Sequence, residues 1–310
     1  MLVEILQVLQ FYISSMDNTI IFVSSLVFIC ITRLALAGVY RQWLAVCLPK
    51  PILSRIINPK LLSDEKKRKL HENVFYAIWH TLSFALVLRV CYHEPWFQQM
   101  LVSWETGWTI YGWPHSYSDQ ETSLYMFELA FWTSCLLFVA VETIRKDFKE
   151  MVIHHLSTVG LISLSFVYGF VRIGFVVLLV HDVGDIFLYS AKSCNYMKLE
   201  FITNIVFGIF VVVFFVSRLV IFTFVVRSAW MGTLNYYEEM NAVADPRARI
   251  LPILLTVLQL LHYMWFVLIL KMIYRMLFQA TKTQKDIRSD DEDSDAENAP
   301  AKTNRTKKIE

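Results

Sequence analysis

The sequence is poor in charge. Only 18% of its 310 residues are Asp, Glu, Lys or Arg, and the formal net charge is +2. Soluble chains carry about 25% charged and roughly 45–50% apolar residues, whereas 56% of this chain is apolar and its mean hydropathy is +0.46. A soluble fold would have no interior large enough for this excess, so the composition predicts a membrane protein. So small a net charge also predicts no nucleic-acid partner.

The side chains that build metal and redox sites are scarce as well. The five cysteines are an odd number, scattered and mostly within apolar runs, which predicts neither a disulfide framework nor a zinc site. The eight histidines include one adjacent pair, whereas a di-iron membrane hydroxylase needs many histidines in repeated short clusters. Leu156 follows that pair where a protein palmitoyltransferase has a cysteine, and no glycine-rich phosphate loop occurs. We therefore expect no metal site.

Long apolar runs are abundant. A membrane-spanning helix needs roughly 20 mostly apolar residues, and a window of that length finds seven runs. They lie near 19–40, 73–92, 122–144, 152–171, 174–191, 201–226 and 250–276. No basic segment precedes the first run and no small-residue cleavage site follows it, which predicts an anchor rather than a signal peptide. The predicted fold class is all-α, a polytopic membrane protein with about seven transmembrane helices.

The distribution of Lys and Arg predicts the orientation. The 41–72 loop is rich in both, whereas no Lys or Arg occurs between His93 and Ile144. Because short cytosolic loops carry the excess of basic residues, the chain should begin in the lumen and end in the cytosol. The predicted divisions are a segment with the first anchor and a basic cytosolic loop (1–65), a domain of six spans (66–279) and a disordered, acidic then basic cytosolic tail (280–310).

Two clusters of ionisable residues stand out within the apolar runs. His154-His155 lies in the fourth, and His181-Asp182-Val183-Gly184-Asp185 lies in the fifth. Each ionisable group inside a span costs about 2.5–3.5 kcal/mol on insertion scales, so such groups face a cavity, pair with one another or carry function. On a helix, His181, Asp182 and Asp185 share a broad face. One pocket could therefore hold all three.

The fourth and fifth spans should be antiparallel neighbours, because only Arg172 and Ile173 separate them. At about 1.5 Å per residue, His155 lies roughly 25 Å and Asp185 roughly 20 Å from that turn. This depth predicts two imidazoles and two carboxylates together in the cytosolic half of the bilayer. Plainer interpretations stay open: a histidine that only bonds neighbouring helices, and an aspartate that pairs with Arg172 or Arg218.

The stretch from Phe148 to Tyr196 resembles the ceramide synthases, whose membrane module is the TLC domain. The similarity is strongest over about 50 residues, and the TLC pattern runs from about Lys66 to Phe278. The 41–72 loop is too short for the homeodomain-like insert of many animal members. The matching features are His154-His155, the turn with Tyr168, Arg172 and Gly174 (Tyr-x-x-x-Arg-x-Gly), His181-Asp182-x-x-Asp185, and the exit Ala191-Lys192-x-x-x-Tyr196.

The resemblance implies an enzyme of the endoplasmic reticulum membrane that moves a fatty acyl group from acyl-CoA to the amine of a long-chain sphingoid base. The products would be (dihydro)ceramide and CoA, with acyl-CoA as co-substrate and no cofactor. It implies His154 as acyl carrier and His155 as acid and base, or the reverse. Asp182 and Asp185 would bind the ammonium, steer its proton or orient a histidine. The supporting residues would be His181, Arg172, Tyr168, Lys192 and Tyr196.

Two other classes of protein stay open at this point. One is a non-enzymatic TLC protein that binds lipids or assists translocation, which retention of both histidines and both aspartates disfavours. The other is a proton-moving transporter, although no repeated halves are evident. A homo-oligomer or an accessory membrane subunit is also compatible with the sequence.

The polar tail carries two short signals. Ser289 and Ser294 each precede a glutamate by three positions, the spacing preferred by acidophilic kinases, and phosphorylation there would enlarge an acidic patch. The alternative is a merely solubilising tail. Lys307 and Lys308 resemble the dilysine signal for return to the endoplasmic reticulum, which a receptor reads, although two such lysines can also occur by chance.

Overall fold

The structure is a computed structural model, which describes residues 17–34, 64–102, 117–141, 147–239 and 249–278. Every regular element in these residues is helical, as the sequence predicts. The elements are α1 (Asp17–Leu34), α2 (Asp64–Cys91), α3 (Pro95–Val102), α4 (Asp119–Phe138), α5 (Phe148–Val167), α6 (Val171–Tyr196), α7 (Glu200–Phe214), a π-helical segment (Phe215–Ile221), α8 (Phe222–Glu239) and α9 (Ile250–Phe278).

Five helices in this part of the chain are long and apolar enough to cross a membrane. They are Asp17–Leu34, Lys66–Cys91, Phe148–Val167, Glu200–Met231 and Ile250–Met276, and they match the first, second, fourth, sixth and seventh predicted spans. The third and fifth predicted spans form α4 and α6, which are 20 and 26 residues long.

Helices α4 and α6 are largely enclosed by other helices. Every residue of α6, and every residue of α4 from Leu124 to Leu136, is buried or half-buried. The helices facing outward instead expose large apolar side chains such as Phe201 and Val212. Because α6 meets other helices rather than lipid, it can carry aspartates and a histidine where their partners are protein groups.

The α5–α6 turn lies earlier in the sequence than the composition predicts. The structure turns at 168–170, so Arg172 is in the first turn of α6 rather than between the spans. Gly169 has φ 80°, a backbone conformation that side chains disfavour. The backbone N–H of Phe170 then donates to the Ser165 carbonyl at 2.7 Å. The glycine therefore makes the tight turn that brings α5 and α6 together.

Two apolar clusters flank α6. One joins α1, α2 and α4 around Phe75, Trp79 and Phe131, and the other joins α5 to α9 around Phe222 and Leu258. Helix α6 packs most extensively on α2 and then on α7, while α9 and α4 both pack on α5. The polar side chains of α6 thus lie between two apolar bodies, away from the surface.

The π-helical segment joins α7 to α8 without a break and is absent from the sequence prediction. It contains Arg218, which is buried. A π turn leaves the backbone less regularly bonded, and here the side-chain amide of Gln259 on α9 donates to the Arg218 carbonyl at 3.2 Å. The segment is therefore supported by α9.

Several sequence predictions lie outside the described residues. They include most of the basic 41–72 loop and the whole 280–310 tail, with its candidate phosphorylation sites Ser289 and Ser294 and the lysines Lys307 and Lys308. The structure therefore tests neither these features nor the three-part division of the chain, and they stay predictions.

Candidate functional site

The paired histidines of α5 lie in a buried aromatic environment. The rings of His154 and His155 pack against the Trp132 indole of α4, with centroids 5.7 and 5.9 Å from it, and lie 5.4 Å from each other. The Nδ1 atoms of both are buried and have no hydrogen-bond partner within the described residues. Buried polar groups are normally paired, so these two imidazoles are candidates for chemistry.

Asp182 is bonded to α2. One carboxylate oxygen lies 2.7 Å from Nδ1 of His80, and the other accepts the hydroxyl of Ser83 at 2.5 Å. His80 and Asp182 are both nearly inaccessible, with 2% and 1% of their surfaces exposed. The contact is thus a carboxylate–imidazole pair deep between helices α2 and α6.

The carboxylate of Asp185 bonds to the π-helical segment rather than to α2. It forms an ion pair with Nη2 of Arg218 at 2.8 Å. The same guanidinium donates to the His181 carbonyl at 2.8 Å and meets Nε2 of His262 on α9 at 3.2 Å. Pairing of an aspartate with Arg218, one of the open alternatives from the sequence, is what the structure shows for Asp185.

His181 faces the side of Asp185 rather than that of Asp182. Its Nδ1 donates to the Val177 carbonyl at 2.7 Å, and its ring packs against Phe222 and His262, each with a centroid distance of 4.9 Å. The expectation that one pocket holds His181, Asp182 and Asp185 is therefore wrong. Helical rotation turns Asp182 towards α2 and the other two towards the π-helical segment and α9.

The histidine pair of α5 nonetheless lies close to the polar groups that surround α6. His155 lies within electrostatic range of Asp185 and His80, and His154 within that of His181 and Arg218. His80, the partner of Asp182, also packs against the Trp132 indole that contacts His154 and His155.

The other predicted supporting residues lie towards the two ends of α6. Arg172 stacks over Trp96 of α3, at 5.6 Å from the ring centroid, and precedes Asp182 by roughly 15 Å of helix. Tyr168 packs with the apolar cluster around Phe222. Lys192 lies over Tyr189, and Tyr196 is the last residue of α6. Their places indicate roles at the two ends of α6 rather than in the chemistry.

Sequence reasoning missed several residues of the site. They are His80, Ser83, Glu128, Trp132 and His262, all buried in α2, α4 or α9. The buried carboxylate of Glu128 lies close to Ser83 and interacts electrostatically with Asp182. A signal was present, because each of His80, Glu128 and His262 is an ionisable residue inside an apolar run.

An apolar cavity adjoins the site. It is bounded by Trp132 and His181 at one end and by Phe170, Gly174 and Pro252 at the other, between helices α4, α5, α6, α8 and α9. Gly174 allows the close approach of Tyr125, because a Cβ there would lie 1.8 Å from the Tyr125 hydroxyl. The lining is mostly apolar, with Thr158, Ser165 and His181 among its few polar groups.

No metal site is evident in the part of the chain that the structure describes, since nowhere there do three His, Cys, Asp or Glu side chains group to hold an ion. The two aspartates of α6 are instead paired with other side chains: Asp182 with His80, and Asp185 with Arg218. This arrangement suits proton transfer and acyl transfer through imidazole.

Comparisons with known proteins identify the family of this chain. The family model described as TLC domain matches residues 69–271. Ceramide synthase LOH2 of Arabidopsis thaliana is 33% identical over 79% of this chain and 83% of its own length. ASC1-like protein 3 of Oryza sativa subsp. japonica is 31% identical over 76% of this chain and 84% of its length. Ceramide synthase 4 of Bos taurus is 35% identical, and the match covers only 57% of that protein.

Proposed function

Because the chain belongs to the TLC-domain ceramide synthase family, we propose that it is an acyl-CoA-dependent sphingoid-base N-acyltransferase, a ceramide synthase. The single observation that carries the proposal is the buried pair His154-His155, whose rings share the Trp132 indole at the end of an apolar cavity. A multi-pass membrane protein that only filled its core would have no need of two buried imidazoles whose Nδ1 atoms find no hydrogen-bond partner among the described residues.

The first half-reaction loads the enzyme. A ring nitrogen of His154 bonds to the thioester carbonyl carbon, the carbon–sulfur bond breaks, and the proton that His155 takes from His154 passes to the departing CoA sulfur. Imidazole is a nucleophile when neutral, and the adjacent imidazole provides the acid–base partner. The roles of His154 and His155 are interchangeable in this scheme.

The second half-reaction delivers the acyl group. The sphingoid-base amine loses a proton and bonds to the acyl carbon, the bond to His154 breaks, and His154 regains a proton. Asp182 contributes by orienting His80, which is its bonded partner. Asp185 is bonded to Arg218, so we assign it to the support of α6 and the π-helical segment rather than to the ammonium.

The apolar cavity would receive the acyl chain. Its lining is almost entirely aliphatic and aromatic, with Ser165 and Thr158 among the few polar groups. A chain entering from Trp132 would run towards Phe170 and Pro252, which places the thioester beside the histidines. Each CH₂ group that such a chain buries against this lining would contribute about 0.8 kcal/mol.

We further propose that the enzyme acts in the endoplasmic reticulum membrane, with its amino terminus in the lumen and its carboxyl terminus in the cytosol. The Lys and Arg bias of the 41–72 loop supports this orientation. Fatty acyl-CoA would then enter from the cytosol, and the sphingoid base from the bilayer.

The experiment is a two-product assay on the purified full chain in detergent. Acyl-CoAs of several lengths are mixed with dihydrosphingosine, ceramides are measured by mass spectrometry and free CoA by its thiol. Equal amounts of ceramide and CoA are expected. Binding of sphingoid base or acyl chain without release of CoA would instead favour a non-enzymatic lipid-binding or translocation-assisting protein of the same fold.

A further inference from the structure

His80 on α2 has a fixed orientation. Its ring stacks parallel to that of Tyr189 on α6, with centroids 5.6 Å apart and planes 2° apart. The ring of Phe131 on α4 packs edge-on against it at 5.6 Å. Three helices therefore hold this imidazole in one plane, and His80 lies outside the α5–α6 motif that suggested the function.

The partner of His80 determines which ring nitrogen is basic. A carboxylate can only accept, so the contact between Nδ1 of His80 and Asp182 at 2.7 Å places the proton of the neutral ring on Nδ1. Nε2 then carries the lone pair. Ser83 engages the other carboxylate oxygen, which keeps the carboxylate turned towards His80. The same division of roles orients the histidine of serine hydrolases.

His80 also adjoins the histidines that would carry the acyl group. Its ring centroid lies 5.9 Å from Trp132, the indole that contacts both His154 and His155. Three imidazoles thus surround one indole, and only that of His80 has a carboxylate bonded to it within the described residues. A general base that is separate from the acyl carrier is therefore available.

We propose that His80, oriented by Asp182, is the general base that takes the proton from the sphingoid-base amine when the acyl group is transferred to it. The inference rests on the proposed N-acyltransferase function. In this step the amine nitrogen bonds to the acyl carbon, its proton moves to Nε2 of His80, and the acyl–His154 bond breaks. The proton then returns to the freed His154 imidazole, so that charge and protons balance and His80 is neutral again.

The test separates the two half-reactions. The full chain is mixed with acyl-CoA alone, and the acyl-enzyme is followed by intact-protein mass spectrometry. Dihydrosphingosine is then added and ceramide is measured over time. The key variant is His80→Asn, because the asparagine amide nitrogen replaces Nδ1 as donor to Asp182 while nothing replaces Nε2.

The expected result is a split effect. His80→Asn should form the acyl-enzyme within about twofold of the unsubstituted rate, while transfer to the amine slows by roughly 10²- to 10⁴-fold, the usual contribution of a general base. His93→Asn is the matched control, since His93 is exposed just beyond the end of α2, and both of its half-reactions should be normal.

Three outcomes would overturn the proposal. They are normal transfer in His80→Asn, equal loss of both half-reactions, and failure of both His80→Asn and His80→Gln to accumulate in the membrane, which would give His80 a structural role. Failure of the proposed function is seen separately, because the unsubstituted protein would then release no CoA and form no ceramide.

Discussion

At the scale of single residues, two carboxylates three positions apart in α6 have different tasks. Asp182 is bonded to an imidazole and a hydroxyl, whereas Asp185 neutralises the buried Arg218. Removing one partner of a buried ion pair leaves an uncompensated charge, which costs about 3–5 kcal/mol. Replacing Asp182 by the amide leaves an acceptor for His80 and a donor for Ser83. Stability should therefore depend on Asp185 and catalysis on Asp182.

This difference gives a prediction for the two single variants Asp182→Asn and Asp185→Asn. Asp185→Asn should lower the thermal unfolding temperature in detergent, and adding Arg218→Gln should restore part of the loss because neither charge then remains. Asp182→Asn should unfold close to the unsubstituted temperature while N-acylation falls by at least about 10²-fold. Equal stability of the two single variants would contradict the assignment.

The histidines of α5 give a second prediction at this scale. His154→Ala and His155→Ala should each reduce ceramide formation by roughly 10²-fold or more, because one removes the acyl carrier and the other its acid–base partner. Membrane insertion should persist, since the apolar length of α5 does not depend on either side chain. The measurement is ceramide formation at matched protein levels. Near-normal ceramide formation by both variants would contradict the proposed mechanism.

At the scale of helices, hydropathy predicts the number and order of the long elements but not their ends or partners. The apolar runs correspond to α1, α2, α4, α5, α6, the α7–α8 rod and α9. Hydropathy predicts the α5–α6 turn at Arg172, whereas the structure makes the turn at Gly169. Spacing placed Asp182 and Asp185 on one face, but only packing decides that α2 meets one and the π-helical segment the other.

The π-helical segment is the element that sequence periodicity could not reveal. One extra residue in an otherwise apolar run changes no composition, yet it alters the direction of each later side chain by about 100°. Here it lets Arg218 meet Asp185, the His181 carbonyl and His262 together. Polar groups on both α6 and α9 therefore depend on this local geometry.

A third prediction follows for this element. Deleting Val216, whose side chain is exposed on the outer face, should convert the segment to α-helix and turn Arg218 away from Asp185. Because a buried pair is then broken, we expect a lower unfolding temperature and reduced N-acylation. Val216→Ala is the control, since it shortens the same side chain without changing the register. A deletion variant as stable and active as this control would show that the π geometry is dispensable.

At the scale of the whole molecule, the polarity is arranged opposite to that of a soluble protein. Large apolar side chains such as Phe201, Val212 and Leu260 are exposed on the outer helices, while His262, Glu128 and Asp182 are among the most buried residues. This distribution suits a chain whose outer helices contact lipid and whose ionisable groups contact other protein groups. The site therefore lies within the protein at membrane depth, where substrates that are themselves lipids can reach it.

The last prediction concerns where this molecule resides. Lys307 and Lys308 lie near the carboxyl end of the sequence, and a receptor can read such a dilysine signal only on the cytosolic side. The Lys and Arg bias independently predicts a cytosolic position for this end. Replacing both lysines by serine, in a protein tagged at its amino terminus, should move part of it from the endoplasmic reticulum to the Golgi.

The control is Lys302→Ser, which leaves the pair intact. Unchanged reticular staining of the double variant would show that the spans or a partner retain the protein. A carboxyl-terminal epitope inaccessible after selective permeabilisation of the plasma membrane would contradict the orientation itself.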